Sequence, residues 1–132
     1  MRMIFVSLPV ADLARARAFY EGLGFRINEH SSDDRTASVV VDENIVVTLQ
    51  TRDRFAELTG AEAGDASRPT AIPCLTVEDR GEVDDLVAKA LAAGGRSWQP
   101  AADEDSRYTG SFTDPDGNVW QILWLDQLHV VN

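Results

Sequence analysis

The chain has 132 residues, and its 22 acidic and 12 basic side chains give it a net charge of −10. That length suits a single domain over residues 1–132, long enough to bury roughly two-thirds of its unfolded surface. The negative charge disfavours nucleic acid as a partner, because phosphates require a basic surface. A single cysteine, Cys74, excludes an internal disulfide. No apolar stretch approaches the ~20 residues needed to span a membrane, and no secretion signal is evident, so we expect a cytoplasmic protein without membrane contact.

The first half of the sequence predicts a strand, a helix and three further strands. Residues 3–8 are mostly apolar and are expected to form a strand that is covered on both faces and ends at Pro9. Asp12 is a suitable N-cap for a helix over about 13–22, which Gly24 terminates. The remaining strands are predicted at 25–28, 36–41 and 45–51, with a turn at 42–44.

The second half repeats this order of elements. A short helix and a stretch rich in Ala, Gly and Ser form a connection at 52–69. A strand at 70–77 then leads to a helix that Glu78 or Asp79 caps and that runs to about residue 92. The remaining strands are predicted at 96–99, 107–113 and 118–125, with a tight turn at 114–117.

Two sequence phrases carry a resemblance to a known family. The first is Leu-Pro-Val-Ala-Asp at 8–12, followed by Phe19-Tyr20 and by Leu-Gly-Phe at 23–25. The second is Asp-Pro-Asp-Gly-Asn-Val-Trp-Gln at 114–121. In this order and spacing the phrases resemble the vicinal oxygen chelate superfamily, which comprises glyoxalases, bleomycin-resistance proteins and extradiol dioxygenases.

The resemblance implies an α+β fold in which two βαβββ modules form one curved-sheet domain with a central cleft. We expect the modules at about 1–51 and about 70–126. Members of this family commonly complete the cleft in a dimer, so the resemblance also implies a homodimer. Because a fold does not determine chemistry, the function depends on which residues line the cleft.

Enzymes of this family hold a divalent metal on four side chains, and the resemblance implies a position for each of them. Phe5 and Ile72 offer no lone pair, while Gln121 offers only a neutral amide oxygen. Coordination by so few neutral oxygens is too weak to offset the free energy that Zn²⁺, Fe²⁺ or Mg²⁺ loses when it sheds its bound water. We therefore predict no metal and no other cofactor. The four positions are Phe5, Ile72, Gln121 and, within a residue or two, Thr48.

Alternation along the strands predicts that one side of the sheet presents a mostly apolar wall with a few polar atoms. This wall suits a partly hydrophobic small molecule oriented by Gln121, Thr48 and Thr76, although the same side chains could instead fill a closed core. Arg107 and Tyr108 either reach a ligand from the rim or are ordinary surface residues. The predicted ligand-binding residues are Phe5, Ser7, Thr48, Gln50, Ile72, Cys74, Arg107, Tyr108 and Gln121.

The sequence assigns no catalytic residue. Cys74 lies on an apolar strand with no histidine near it in sequence, and such a thiol is normally inert. His30 and His129 are expected at the surface. Trp120 and Trp124 alternate with Gln121, which predicts that they lie in the core under the helices.

Two functional classes remain open. The missing ligands and the acidic composition favour a protein that binds a small, cationic or aromatic molecule without metal. The acidic segment 103–105 is either a lid that selects cations or an ordinary mobile loop. The alternative is a lactoylglutathione-lyase-like or dioxygenase-like enzyme. An enediolate intermediate needs a Lewis acid, so such an enzyme would have to bind its metal at a different position.

Overall fold

The secondary structure follows the predicted order of strands and helices. A computed structural model describes residues 2–65, 69 and 71–126. Within these residues, none of the helices is both long and apolar enough to cross a membrane. In chain order the elements are β1 (Ile4–Val10), α1 (Leu13–Gly22), β2 (Arg26–Asn28), β3 (Thr36–Asp42), β4 (Ile45–Thr51), α2 (Arg52–Thr59), β5 (Cys74–Thr76), α3 (Arg80–Ala92), β6 (Arg96–Ser97), β7 (Ala102–Glu104), β8 (Arg107–Thr113) and β9 (Val119–Leu125).

The strands form two sheets, one from each half of the chain. Sheet A has the order β1-β4-β3-β2, and its strands β1 and β4 are parallel. Sheet B has the order β5-β9-β8-β6, with β5 and β9 parallel and β7 also paired to β8. The α+β class and the two βαβββ modules are therefore confirmed, and the second module carries β7 in addition.

The first strand differs from its prediction in two respects. It continues through Pro9 to Val10, because β1 is an edge strand, where proline's missing N–H is tolerated. It is covered on one face only, and the side chain of Phe5 on the other face is 59% exposed. An apolar sequence therefore does not distinguish a strand that is covered on both faces from an edge strand that is covered on one.

Strand lengths differ most in the second half. The predicted strand 70–77 is reduced to Cys74–Thr76, and residue 70 lies outside the described residues. The predicted strand 96–99 ends at Ser97. In place of the predicted acidic loop, Ala102–Glu104 forms β7 against β8.

Helix α1 packs against both sheets. It contacts β3 and β4 of sheet A, while its Phe19 ring lies 6.0 Å from Phe112 and its Tyr20 ring lies 6.1 Å from Trp120 of sheet B. Helix α3 packs on β8 and β9 and also contacts α1. Each sheet thus has an inner face toward the helices and an outer face that turns away from them. The prediction that Trp120 lies in the core is confirmed, and Trp124 is half-buried against the same core.

A buried carboxylate connects the two halves. Asp114, in the turn between β8 and β9, is 1% exposed and accepts a 2.7 Å hydrogen bond from the Tyr20 hydroxyl of α1. Its oxygens also accept from the Asn118 side chain and from the backbone N–H groups of Asp116 and Asn118, each at 2.9 Å. The Trp120 indole donates to the Tyr20 oxygen at 3.0 Å. The carboxylate therefore organises its own turn and fixes α1 on sheet B.

The same turn contacts the start of α1 through two further side chains. Asp116 accepts hydrogen bonds from the Ala11 backbone at 2.7 Å and from the Arg15 guanidinium at 3.2 Å. The Asn118 amide donates to the Pro9 carbonyl at 3.2 Å. The end of β1 and the beginning of α1 are consequently held against the second half.

Burial raises the pKa of Asp114, and hydrogen bonds from Asn118 and Tyr20 oppose this by favouring the ionised form. Burial, reinforced by the neighbouring Asp114 charge, raises the pKa of Tyr20 well above its usual value, so the hydroxyl remains a donor at neutral pH. A raised carboxyl pKa in the folded state contributes stability below the unfolded pKa, and that contribution is lost as pH rises through the folded value.

We expect Tyr20→Phe to lower the free energy of unfolding by about 1–3 kcal/mol at pH 7, because the carboxylate loses a donor and the Trp120 indole loses its acceptor. The Tyr20 hydroxyl favours the ionised form, so its removal raises the pKa of Asp114 further. The deficit should therefore be larger at pH 7 than at about pH 3, below the usual carboxyl pKa. Urea unfolding at both pH values measures this loss of stability.

Tyr108→Phe, which removes a hydroxyl bonded to the exposed Asp84, is the matched control and should lower the free energy of unfolding by roughly 0.5 kcal/mol. A Tyr20→Phe deficit independent of pH would contradict this coupling.

Gly95 lies close to the Phe19 ring of the other half. A Cβ added there would lie 2.6 Å from the Thr113 carbonyl oxygen and 2.8 Å from the Phe19 ring. We expect Gly95→Ala to lower the free energy of unfolding by about 1–3 kcal/mol, measured by thermal and urea denaturation. Gly64→Ala is the control, because no described atom lies within 4 Å of the added Cβ. Equal free energies of unfolding for the two variants would contradict this prediction, because they would show that Thr113 and Phe19 can move to accommodate the added methyl group.

Candidate functional site

The outer face of sheet A carries a polar patch beside an exposed aromatic ring. Ser7 of β1 lies next to Thr48 of β4, and their hydroxyl oxygens share a 2.7 Å hydrogen bond. Two residues further along β4, the Gln50 amide oxygen accepts a 2.6 Å hydrogen bond from the Thr36 hydroxyl of β3. Phe5 stands on the same face of β1, two residues before Ser7. These paired hydroxyl and amide groups are already ordered, and the ring offers apolar surface next to them.

The outer face of sheet B carries a second set of predicted residues. Gln121 of β9 lies between Cys74 of β5 and Ser111 of β8. Arg107 is exposed further along the same face of β8, and Ile72, just before β5, is 40% exposed. Gln121 is half-buried, so its side chain remains partly accessible between these neighbours.

The thiol of Cys74 is exposed but poorly suited to nucleophilic attack. Partial burial raises its pKa, and the nearby Arg107 charge opposes this only in part. The thiol therefore stays protonated at neutral pH, and the thiolate is the reactive form.

Tyr108 does not join the other predicted residues. It pairs with Trp124 on the inner face of sheet B, and its hydroxyl donates to Asp84 of α3 at 2.6 Å. That hydrogen bond raises the pKa of Tyr108. Because side chains alternate along β8, Arg107 and Tyr108 lie on opposite faces of sheet B, and only Arg107 reaches the outer face.

The predicted residues thus form two sets, one on each sheet. No hydrogen bond or ion pair among the described residues joins the sheet A set to the sheet B set. A cavity of about 310 Å³ lies at the junction of the halves, where Ser7 and Pro9 meet Pro73 and Val119, but it includes none of the predicted sheet B residues. Helix α2 contributes Phe55 to this cavity.

The side chains at the four family metal positions do not fit a divalent ion. Phe5 and Ile72 have no donor atom, and the Thr48 hydroxyl is already bonded to Ser7. Among the described residues, no group of three or more His, Cys, Asp or Glu side chains is placed to hold a metal ion. His30 is exposed in a 3₁₀ turn, and His129 lies outside the described residues.

The acidic segment at 103–105 is fixed in place. Arg80 of α3 forms an ion pair with Asp103 and donates to the backbone carbonyls of Glu104 at 2.6 Å and Asp105 at 3.2 Å. Its guanidinium also lies 4.8 Å from the centroid of the Trp124 ring. Asp103 and Glu104 therefore lie in strand β7, Asp105 lies in the turn that follows, and the side chain of Arg80 contacts all three residues.

One cavity was not anticipated from the sequence. Trp98 lines a groove of about 550 Å³ together with Val87 and Leu91 of α3. The available signal was Pro100, because a proline shortly after a predicted strand indicates that the strand is interrupted. Residues 98–101 leave the sheet at this point and form one wall of the groove.

Comparison with known proteins identifies similar sequences and folds. The family model described as "Glyoxalase/Bleomycin resistance protein/Dioxygenase superfamily" matches residues 2–122. No curated protein matches the chain. A hypothetical protein from S. aureus is 26% identical, with 94% of each chain covered and a TM-score of 0.80. A glyoxalase-related enzyme from Fulvimarina pelagi is 23% identical, with 94% of this chain and 88% of that one covered and a TM-score of 0.79. A lactoylglutathione lyase from Agrobacterium tumefaciens is 16% identical, with 92% of each chain covered and a TM-score of 0.69. The last two likenesses show the fold alone.

Proposed function

Because the chain belongs to the glyoxalase/bleomycin resistance protein/dioxygenase superfamily, we propose that it binds a small, cationic or aromatic molecule without the family metal. The observation that carries this proposal is the pair of apolar side chains at metal positions. Phe5 is 59% exposed and Ile72 is 40% exposed, each on or beside an outer sheet face. At the two positions where metalloenzymes of the family have metal ligands, this chain thus has exposed apolar side chains that a ligand can contact.

The polar groups beside these side chains suit orientation of a ligand. The hydrogen-bonded Ser7–Thr48 pair and the half-buried Gln121 amide present a few donors and acceptors beside these apolar side chains. That combination is typical of small-molecule sites. The net charge of −10 favours cations in general, whereas Arg107 on the outer face of sheet B would favour an anionic group.

We also propose that a second copy of the chain completes the site. The two sets of residues lie on different sheets, and each outer face turns away from the shared helices. Met3, Ile4 and Phe5 are three consecutive exposed apolar residues at the start of edge strand β1. Exposed apolar edge strands are normally covered, and a homodimer would cover this one while placing sheet B of one copy opposite sheet A of the other.

Metal independence is tested by elemental analysis of Zn, Ni, Fe and Mn in the purified protein. We expect no stoichiometric metal, and thermal-shift hits among glycopeptide drugs, aromatic acids and thiol conjugates that persist in chelator. A ligand at 100 times its dissociation constant should add about 2.7 kcal/mol of stability. Thr48→Val should weaken a hit, whereas Thr59→Val on α2 is the control and should not. One tightly held ion per chain would contradict the proposal and support the lyase-like or dioxygenase-like alternative.

The dimer is tested with Phe5→Asp. We expect the variant to be monomeric by light scattering after gel filtration, because a buried carboxylate without a partner opposes association. The same variant should bind the thermal-shift hit at least about tenfold more weakly. Leu58→Asp introduces the same charge at an exposed leucine of α2 and should preserve both properties. If monomeric Phe5→Asp binds the ligand as tightly as the parent protein, one chain forms the whole site and the dimer proposal is wrong. The proposal of metal-free binding would still stand.

A further inference from the structure

The groove beside Trp98 results from an interruption in the pairing of β8. Both β6 and β7 pair with β8, but Ser97 is the last partner of β6 and Ala102 is the first of β7. Residues 98–101 therefore leave the sheet opposite Gly110 and Ser111. The groove of about 550 Å³ lies between this segment and α3.

Two contacts keep the groove preformed. A Cβ on Gly110 would lie 2.8 Å from Val83 and 2.9 Å from Val87, so the absence of a side chain lets α3 pack directly on the strand. On the other wall, the Gln99 N–H donates to the Ser111 hydroxyl at 3.0 Å, and that hydroxyl donates to the Gln99 carbonyl at 3.2 Å. Both walls are thus fixed before any ligand arrives.

The walls of the groove are mostly apolar, although Ser97, Gln99 and Ser111 also line it. Helix α3 contributes Val87, Ala88 and Leu91, of which Leu91 is an exposed large hydrophobic residue. Trp98 and Pro100 contribute the opposite wall. A preformed cavity of this size lies within the range of about 300–1,000 Å³ that small-molecule sites occupy.

One carboxylate lines this apolar groove. Asp84 lies on α3 one turn before Ala88, and its Oδ1 atom accepts the Tyr108 hydroxyl at 2.6 Å. Arg80, one turn earlier on the same helix, forms its ion pair with Asp103 instead. Within the part of the chain that the structure describes, Asp84 has no ion-pair partner. Its negative charge is therefore available to a ligand.

We infer that this groove binds an organic cation with an apolar body, its ammonium group at Asp84 and its aromatic or alkyl part between Trp98 and Leu91. The carboxylate supplies a charged acceptor, and the indole supplies a ring for apolar or cation–π contact. The residues that would hold the cation, Asp84, Trp98 and Leu91, are not among the outer-face residues of the proposed function, so this inference goes beyond that function. It would remain if those faces bound nothing.

The test uses 3-phenylpropylamine as the probe, with 3-phenylpropanol and 3-phenylpropionate as neutral and anionic analogues. Titration is followed by ¹H–¹⁵N NMR of the full chain, which resolves the Trp98 indole and the α3 amides. We expect the amine to shift these signals and to bind at least about tenfold more tightly than the alcohol, with the acid weaker still.

Two substitutions on one helix assign the charge. Asp84→Asn should weaken amine binding by about tenfold or more while leaving the Tyr108 hydrogen bond possible. Asp85→Asn removes the same charge from an exposed neighbour that does not line the groove, and should change affinity less than about twofold. Leu91→Lys, which places an ammonium group at the exposed end of the groove, should block the amine, and its dispersed spectrum would show that it is folded.

Two results would overturn the inference. Equal affinity for amine and alcohol, unchanged by Asp84→Asn, would make the groove an apolar surface without cation selectivity. Shifts confined to Ser7, Thr48 and Gln121 would place the amine on the outer faces, which would support the proposed function while contradicting this site.

Discussion

The carboxylate of Asp114 is the group on which the arrangement of the two halves depends. Burying it would be costly if its oxygens lacked donors, and the sequence supplies donors from its own turn and from Tyr20 of the other half. Because Tyr20 lies on α1, satisfying this charge fixes α1 on sheet B while the same helix covers sheet A. That position of α1 decides which faces of the sheets become inner faces. The outer faces, and therefore every candidate contact on them, follow from it.

The side chains on the outer faces differ from the metal-binding set that the family resemblance implies. Phe5 and Ile72 replace donor side chains by apolar groups, and Thr48 bonds to Ser7. The groove beside Trp98 arises independently, from a break in strand pairing and from the absence of a side chain at Gly110. The chain thus combines a family fold with two surfaces whose chemistry can be distinguished by charge and by position.

Local signals predicted most of the secondary structure. Asp12 and Asp79 cap their helices as expected, because an N-cap depends on residues within one turn. Alternation separated Trp120 from Gln121 correctly for the same reason. Interactions distant in sequence were not predictable: Arg80 holds β7 from α3, and Ser111 holds the segment at Gln99. The placement of the two outer faces likewise depends on how α1 packs between sheets, which no local pattern specifies.

The turn at 114–118 also makes the internal repeat unequal. The corresponding turn of the first half, at 42–44, has no described buried carboxylate that receives a hydroxyl from the other half's helix. Separation of the halves would leave Tyr20 and Trp120 without their partners and expose the apolar rings that pack around them. Because these partners come from both halves, we expect the two modules to unfold together as one cooperative unit.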